Sequence, residues 1–247
     1  MKTASRHRFG YQTSILAERY FDVFLSDLPG LFLLIFQPLA VAACAGLVWQ
    51  GIQGTATLYF VMVFSAVFFG CVNACREIVK ERFIFARERL SGLRISAYTA
   101  SKFIVLALFA LGQSLLFYAG LRYFLVLEGH PLLILLTLYL STLAGTTLGL
   151  CLSALVSSDV MAMTLVPVVL IPQLLFSKIV MPDRSLEGTL RWLEKLTLVK
   201  WSYQSIEQLV QTTPQWSTVL QGWGMLLLMG LLLLGSCALI LKIKDLL

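Results

Sequence analysis

A chain of 247 residues with 58% hydrophobic side chains, 13% charged ones and a mean hydropathy of +0.84 departs far from soluble domains, where apolar usage is about 45–50% and charged usage about 25%. That composition argues against a water-soluble fold and for one membrane bundle, a single domain over residues 1–247. The net charge of +6 does not mark a nucleic-acid surface, because Lys and Arg stand between apolar runs rather than along one polar face.

The chain opens with a mixed segment, residues 1–29. Tyr11, Ile15, Leu16, Tyr20, Val23, Phe24 and Leu28 recur there at helical spacing, while Glu18, Arg19 and Asp22 take other faces. This predicts an amphipathic helix lying along the inner membrane surface. Pro29-Gly30 is expected to break it and turn the chain into the bilayer. With about 28 polar or mixed residues ahead of the first apolar run, a cleaved signal peptide is not expected. Val41-Ala42-Ala43-Cys44 imitates a lipoprotein cleavage box but lies too deep in the chain.

Six apolar runs follow, each able to cross a hydrocarbon core of about 30 Å with about 20 helical residues. They are Gly30 to Trp49, Leu58 to Cys75, Phe103 to Phe124, Leu132 to Val156, Val160 to Val180 and Trp223 to Leu241. The fold class is therefore all-α integral membrane, with spans one to five in residues 30–180, an external region at 181–222 and span six at 223–241. With both termini inside, 13 of the 19 Lys and Arg residues fall on the inner side and six on the outer. The bias places both ends in the cytoplasm, and the expected location is a plasma membrane, the inner membrane of a bacterium.

Between the second and third runs, Arg76 to Tyr98 is dense in both charge signs yet interrupted by Phe83, Ile84, Phe85 and Leu90. A solvated loop has no use for those apolar residues. The segment reads as a cytoplasmic helix continuing span two, a turn at Ser91-Gly92, and re-entry with Lys102 snorkelling to the interface. Mixed charges with apolar anchors at a helix end suit a protein interface, where burial supplies affinity and charge orients docking. In the external region, Leu186, Leu190, Leu193 and Leu196 define one short helix, and Trp201, Ile206, Leu209 and Val210 a second that ends at Pro214. Their apolar faces predict packing against the mouth of the bundle.

Few groups inside the spans could carry chemistry. A charge buried in a membrane costs at least a few kcal/mol and is retained for use, and the runs hold almost none. Asn73 and Gln113 read as hydrogen-bonding partners between helices, and Gln173 equally as a lining residue of a path. Cys71 and Cys75 are four apart, but with only two histidines in the chain, His7 and His130, small-residue packing is the better reading than a metal or redox pair. All five cysteines lie in or beside apolar stretches, which argues against a disulfide framework or zinc site. Gly145, Gly149 and Ser153 form a small-residue stripe that permits close helix contact. Phe60, Phe64 and Phe68 recur every four residues as core, lipid-facing or cavity-wall aromatics, and Pro167 and Pro172 should kink span five. No GxxxxGK followed by Ser or Thr occurs, so the chain does not cradle nucleotide phosphates in the usual way, and any use of ATP would have to come from a partner.

REIVKERFIFARERLSGLRISAYTASKF, Arg76 to Phe103, resembles the segment joining spans two and three of ABC-2 transporter membrane domains, in particular their ABCG-like branch. QTSILAERYFDVFLSDLPGLFLLIFQP resembles the connecting helix and first span of that family, and PDRSLEGTLRWLEKLTLVKWSYQSIEQL its outer re-entrant region. Leu198-Val199-Lys200-Trp201 departs from the usual Ser-Pro and leaves the start of the second outer helix open.

The resemblance implies a permease that pairs with itself or a related chain over separate ABC-type ATPase subunits, which bind the ATP and Mg. It implies a coupling contact at Arg76, Glu77, Lys80, Glu81, Arg82, Arg87, Glu88 and Arg89, and a substrate path along Phe64, Phe68, Asn73, Pro167 and Gln173. The cargo expected of so uncharged a wall is apolar or amphipathic, such as a lipid, glycolipid or drug, with a polysaccharide as the outlier. Two other readings are a polytopic membrane enzyme and a non-transporting scaffold or receptor subunit. On the transporter reading the chain is not an enzyme by itself, holds no cofactor directly, and has the lipid bilayer rather than nucleic acid as its surroundings.

Overall fold

The structure, a computed structural model, describes residues 2–52, 54–177, 189–211 and 213–245, and over these it is helical without strands. The helices are α1 (Lys2–Ser26), α2 (Leu28–Trp49), α3 (Ala56–Ala74), α4 (Arg82–Leu90), α5 (Ile95–Phe124), α6 (Pro131–Leu155), α7 (Asp159–Leu175), α8 (Thr189–Lys195), α9 (Leu198–Val210) and α10 (Trp216–Asp245). A tight turn at Val79–Glu81 joins α3 to α4.

Among the described residues, five helical stretches are long and apolar enough to cross a membrane: α2, the rod Ala56–Leu90 that combines α3 and α4, α5, α6 and α10. The fifth predicted run appears as α7, an apolar helix of 17 residues. At 1.5 Å per residue it measures about 25 Å, short of a core of about 30 Å. Residues 178–180 of that run, and Met181 to Gly188 of the outer region, lie outside the described residues. The third run begins earlier than its apolar stretch suggests, at Ile95, because the helix also takes in the more polar residues Ile95 to Lys102.

Helix α6 is the hub, packed against α3, α10, α5 and α9, while α2 and α1 lie on α5. The α3–α6 seam is the closest, and its glycines explain it. A methyl group on Gly145 would stand 2.2 Å from the Val67 carbonyl oxygen, one on Gly149 2.4 Å from that of Cys71, and one on Gly70 2.0 Å from that of Thr142. One turn further, Ser153 Oγ accepts from the N–H groups of Ile78 and Val79, 3.0 Å each, where α3 has ended and its donors would otherwise lack partners. The stripe legible in the sequence is thus the surface on which two backbones meet.

Most buried hydroxyls of α6 donate within the helix. Thr137, Ser141, Thr142 and Thr146 each donate to the carbonyl four residues back, at 2.6–2.9 Å. Several also serve neighbours: Ser202 meets Ser141 at 2.8 Å, and Trp223 Nε1 donates to Thr137 at 2.9 Å. Polar groups can therefore lie in an apolar bundle without loose bonds.

Three local expectations need correction. The break before the first span falls at Asp27 rather than Pro29-Gly30: Asp27 Oδ1 accepts from Gly30 N at 3.2 Å as an N-cap, and Pro29 sits in the first turn, where no donor is needed. Lys102 does not snorkel; it is 1% exposed and held by partners inside the fold. In the outer region, Leu193 and Leu196 are exposed rather than packed, while α9 buries Trp201, Ile206 and Leu209 as expected. The reason for the last difference is that α9 meets α6, α3 and α10, whereas α8 touches chiefly α9.

Candidate functional site at the charged end

The end of the bundle where α1, the start of α2, α4 and the start of α5 converge gathers most of the predicted coupling residues. Glu77 is 6% exposed: it accepts from the Tyr20 hydroxyl at 2.6 Å and pairs with Lys80 at 2.8 Å. Lys80 also lies 3.7 Å from Asp27. Burial, reinforced by the Glu77 charge, raises the Tyr20 phenol well above its ordinary range, so it stays a proton donor.

One turn on, Glu81 faces Lys102 at 2.8 Å, close as an ion pair though not aligned as a hydrogen bond. The same ammonium stands 3.5 Å from the centre of the Tyr20 ring. A lysine this enclosed needs compensation from opposite charge or π-density, and it has both. Phe85 packs against Tyr98 with ring centres 4.6 Å apart and the rings tilted by 44°, so an apolar contact seats α4 on α5 beside the charges.

Helix α4 is also fastened from two sides. Arg19 of α1 pairs with Glu88, which raises the guanidinium's pKa further, and Arg89 pairs with Asp245 at the end of α10. Lys244 donates to the Leu155 and Val156 carbonyls that end α6, at 2.8 and 3.2 Å. Held this way, α4 presents Phe83 (84% exposed), Arg82, Arg87 and Leu90 (91% exposed) outward. Of the eight predicted coupling residues, Glu77, Lys80, Glu81, Glu88 and Arg89 are engaged within the chain, and Arg82 and Arg87 remain outward.

Arg76 instead lines a cleft of about 430 Å³ between α2, α3 and α7, together with Asn73, Lys80 and Asp27. Asn73 is the one member of the predicted path in that cleft. Its amide donates to Gln113 Oε1 at 2.7 Å, and Gln113, fully buried, reaches the Leu34 carbonyl at 3.3 Å. Phe64 and Phe68 are half-buried higher on α3, with Phe60 stacked on Phe64 at 6.1 Å. On α7, Pro167 is exposed and Gln173 is buried, its carbonyl oxygen without a hydrogen bond among the described residues. These path candidates therefore spread along two loosely adjoining helices rather than closing into one pocket.

Sequence reasoning missed Tyr20, Asp27, Lys102, Asp245 and Arg19 as members of this end. The spacing of Tyr98 and Lys102, four apart on one helix face, was the available signal. Among the described residues no three His, Cys, Asp or Glu side chains come together as a metal site requires.

Comparison with known proteins agrees with this architecture. The family model for the ABC-2 type transporter matches residues 11–210, from the third turn of α1 to the end of α9. An ABC transporter ATP-binding/permease protein of Mycobacterium tuberculosis is 29% identical over 179 residues, covering 66% of this chain and 20% of that protein. The chain thus spans about a fifth of the length of that curated relative. With a match over most of its residues and five helices able to span a bilayer, the chain is a multi-pass membrane protein that belongs to the ABC-2 type transporter family.

Proposed function

We propose that the chain is the permease subunit of an ATP-driven exporter, with two copies forming the translocation path and an ABC-type ATPase on a partner chain supplying ATP, Mg and energy. In this reading α7 is the fifth of six spans, both termini and α4 face the cytoplasm, and α8 and α9 form the outer re-entrant region. The family match supports a transporter membrane component. The printed name of the mycobacterial relative joins ATP-binding and permease functions, which supports an ATPase at work beside this fold.

The observation that carries the coupling role is the presentation of α4. A helix that merely closed a loop would bury or dispense with its large apolar side chains. Here Phe83 and Leu90 project seven residues apart on one face with Arg87 between them, while Glu88 and Arg89 anchor the opposite faces to α1 and α10. Apolar anchors ringed by charge form a docking surface. A push on α4 would travel directly to α1 and α10, which carry the ion-pair partners. The cargo class is apolar or amphipathic.

The test is co-purification of the tagged chain in mild detergent with an ATPase assay of what it recovers. Recovery of an ABC ATPase that a Phe83→Asp/Leu90→Asp variant loses, with unchanged elution of the permease, is the expected result. No ATPase after cross-linking in the native membrane would overturn the coupling role.

A further inference from the structure

The charged end contains a cation that its ion pairs leave over. Arg19, Lys80, Arg89 and Lys102 all have carboxylate partners, and Lys244 has carbonyls. Arg82 and Arg87 stand exposed on α4. Arg76 is half-buried, and among the described residues it has neither a hydrogen bond nor an ion pair. The two carboxylates that share its cleft, Asp27 and Glu77, are both drawn to Lys80, so their charge is answered locally.

The cleft is amphipathic along its length. Its floor is polar, with Arg76, Lys80, Asp27, Glu77 and Asn73, and the wall above is largely apolar, with Leu33, Phe36, Ala40, Val41, Val72 and Met163 and the amide of Gln37 among them. From Gly30 to Val41 the α2 side rises about 16 Å at 1.5 Å per residue, close to the ~15 Å depth of one leaflet's hydrocarbon. Leu33 and Phe36 are 53% and 54% exposed, so the wall is accessible from outside the bundle. A planar guanidinium at the foot of an apolar wall one leaflet deep matches a phosphate joined to an acyl chain, because its forked donors bind phosphate oxygens in pairs.

We infer that this cleft seats a glycerophospholipid of the adjoining leaflet, its phosphate on Arg76 and an acyl chain along the α2–α3 wall. The inference rests on the permease reading and deepens it by naming the cargo class.

The experiment is native mass spectrometry of the full-length chain, delipidated and then offered phosphatidylglycerol or a diacylglycerol with the same chains. The wild type should retain the phospholipid about tenfold better, the value of one charge-assisted contact. R76Q should lose that preference, and R82Q, altered on the exposed helix, should keep it. L33W fills the wall without touching charge and should weaken both lipids, which keeps the test decisive if R76Q misfolds.

Equal retention of both lipids by the wild type, or an unchanged preference in R76Q, overturns the inference. So does disulfide cross-linking between copies through Q37C, which would put a second chain in the cleft. Binding is measured without any ATPase, so its failure leaves the coupling role standing, and failure of ATPase recovery leaves the binding result standing.

Discussion

From Val67 to Cys71, α3 touches α6 backbone to backbone, with glycine where any side chain would collide. Past Ala74 the same rod is held by ion pairs, a phenol and an aromatic ring. The first contact has a single arrangement, because close-packed backbones cannot slide without clashing. The second has alternatives within reach: Lys80 is shared by Glu77 and Asp27, and Lys102 by Glu81 and two tyrosine rings. On the permease reading proposed above, a rigid seam beside a charged end with exchangeable partners is what a component moved from one side requires.

The comparison breaks most sharply at the seam. Gly149→Leu would drive a side chain into the Cys71 carbonyl and the Ala74 methyl, and should destabilise the bundle by about 3 kcal/mol or more. Fluorescence-detected size-exclusion chromatography should find no monodisperse peak. A normal peak with an unchanged melting temperature would show the seam to be looser than described.

At the charged end, Lys102→Met leaves Glu81 facing an apolar neighbour and should destabilise by about 3 kcal/mol, the low side for a broken buried pair. Adding Glu81→Gln should recover most of that loss in thermal melts, because no uncompensated charge then remains. Failure of the second change to rescue the first would mean that Lys102 acts by packing and its contact with Tyr20 rather than by charge.

Ser153→Ala sits at the boundary between the two regions. It removes the acceptor of two backbone N–H groups and should cost about 1–3 kcal/mol. Hydrogen exchange should quicken at Ile78 and Val79 before it does in the α3–α6 seam; uniform acceleration would show that this boundary does not open ahead of the seam.

The smallest stability effect belongs to the partly exposed pair Arg19–Glu88. Arg19→Ala should change the melting behaviour by no more than about 1 kcal/mol. It should nevertheless weaken ATPase recovery, since α4 would lose one of its two lateral fastenings. An unchanged recovery would assign the coupling to the Asp245 side alone.

Composition and hydropathy alone were sufficient for the membrane class, the helical fold and the order of the apolar runs, because a bilayer admits few other solutions for apolar segments of that length. The small residues Gly145, Gly149 and Ser153 were legible as a contact surface for the same reason: spacing by four aligns them on one face whatever they meet. Which helix they meet, α3, was not legible. Lys102 illustrates the harder limit. Its position after Tyr98 in a mixed-charge segment reads as an interfacial lysine, and only the approach of Glu81 and Tyr20 from elsewhere in the chain turns it inward. Arg76 reads in sequence as one more charge in a coupling segment, yet it is left facing a cleft because its neighbours pair among themselves. Periodicity and composition are local properties carried by each segment, whereas the choice of partner for a charge depends on residues tens of positions away and exists only once the helices have packed.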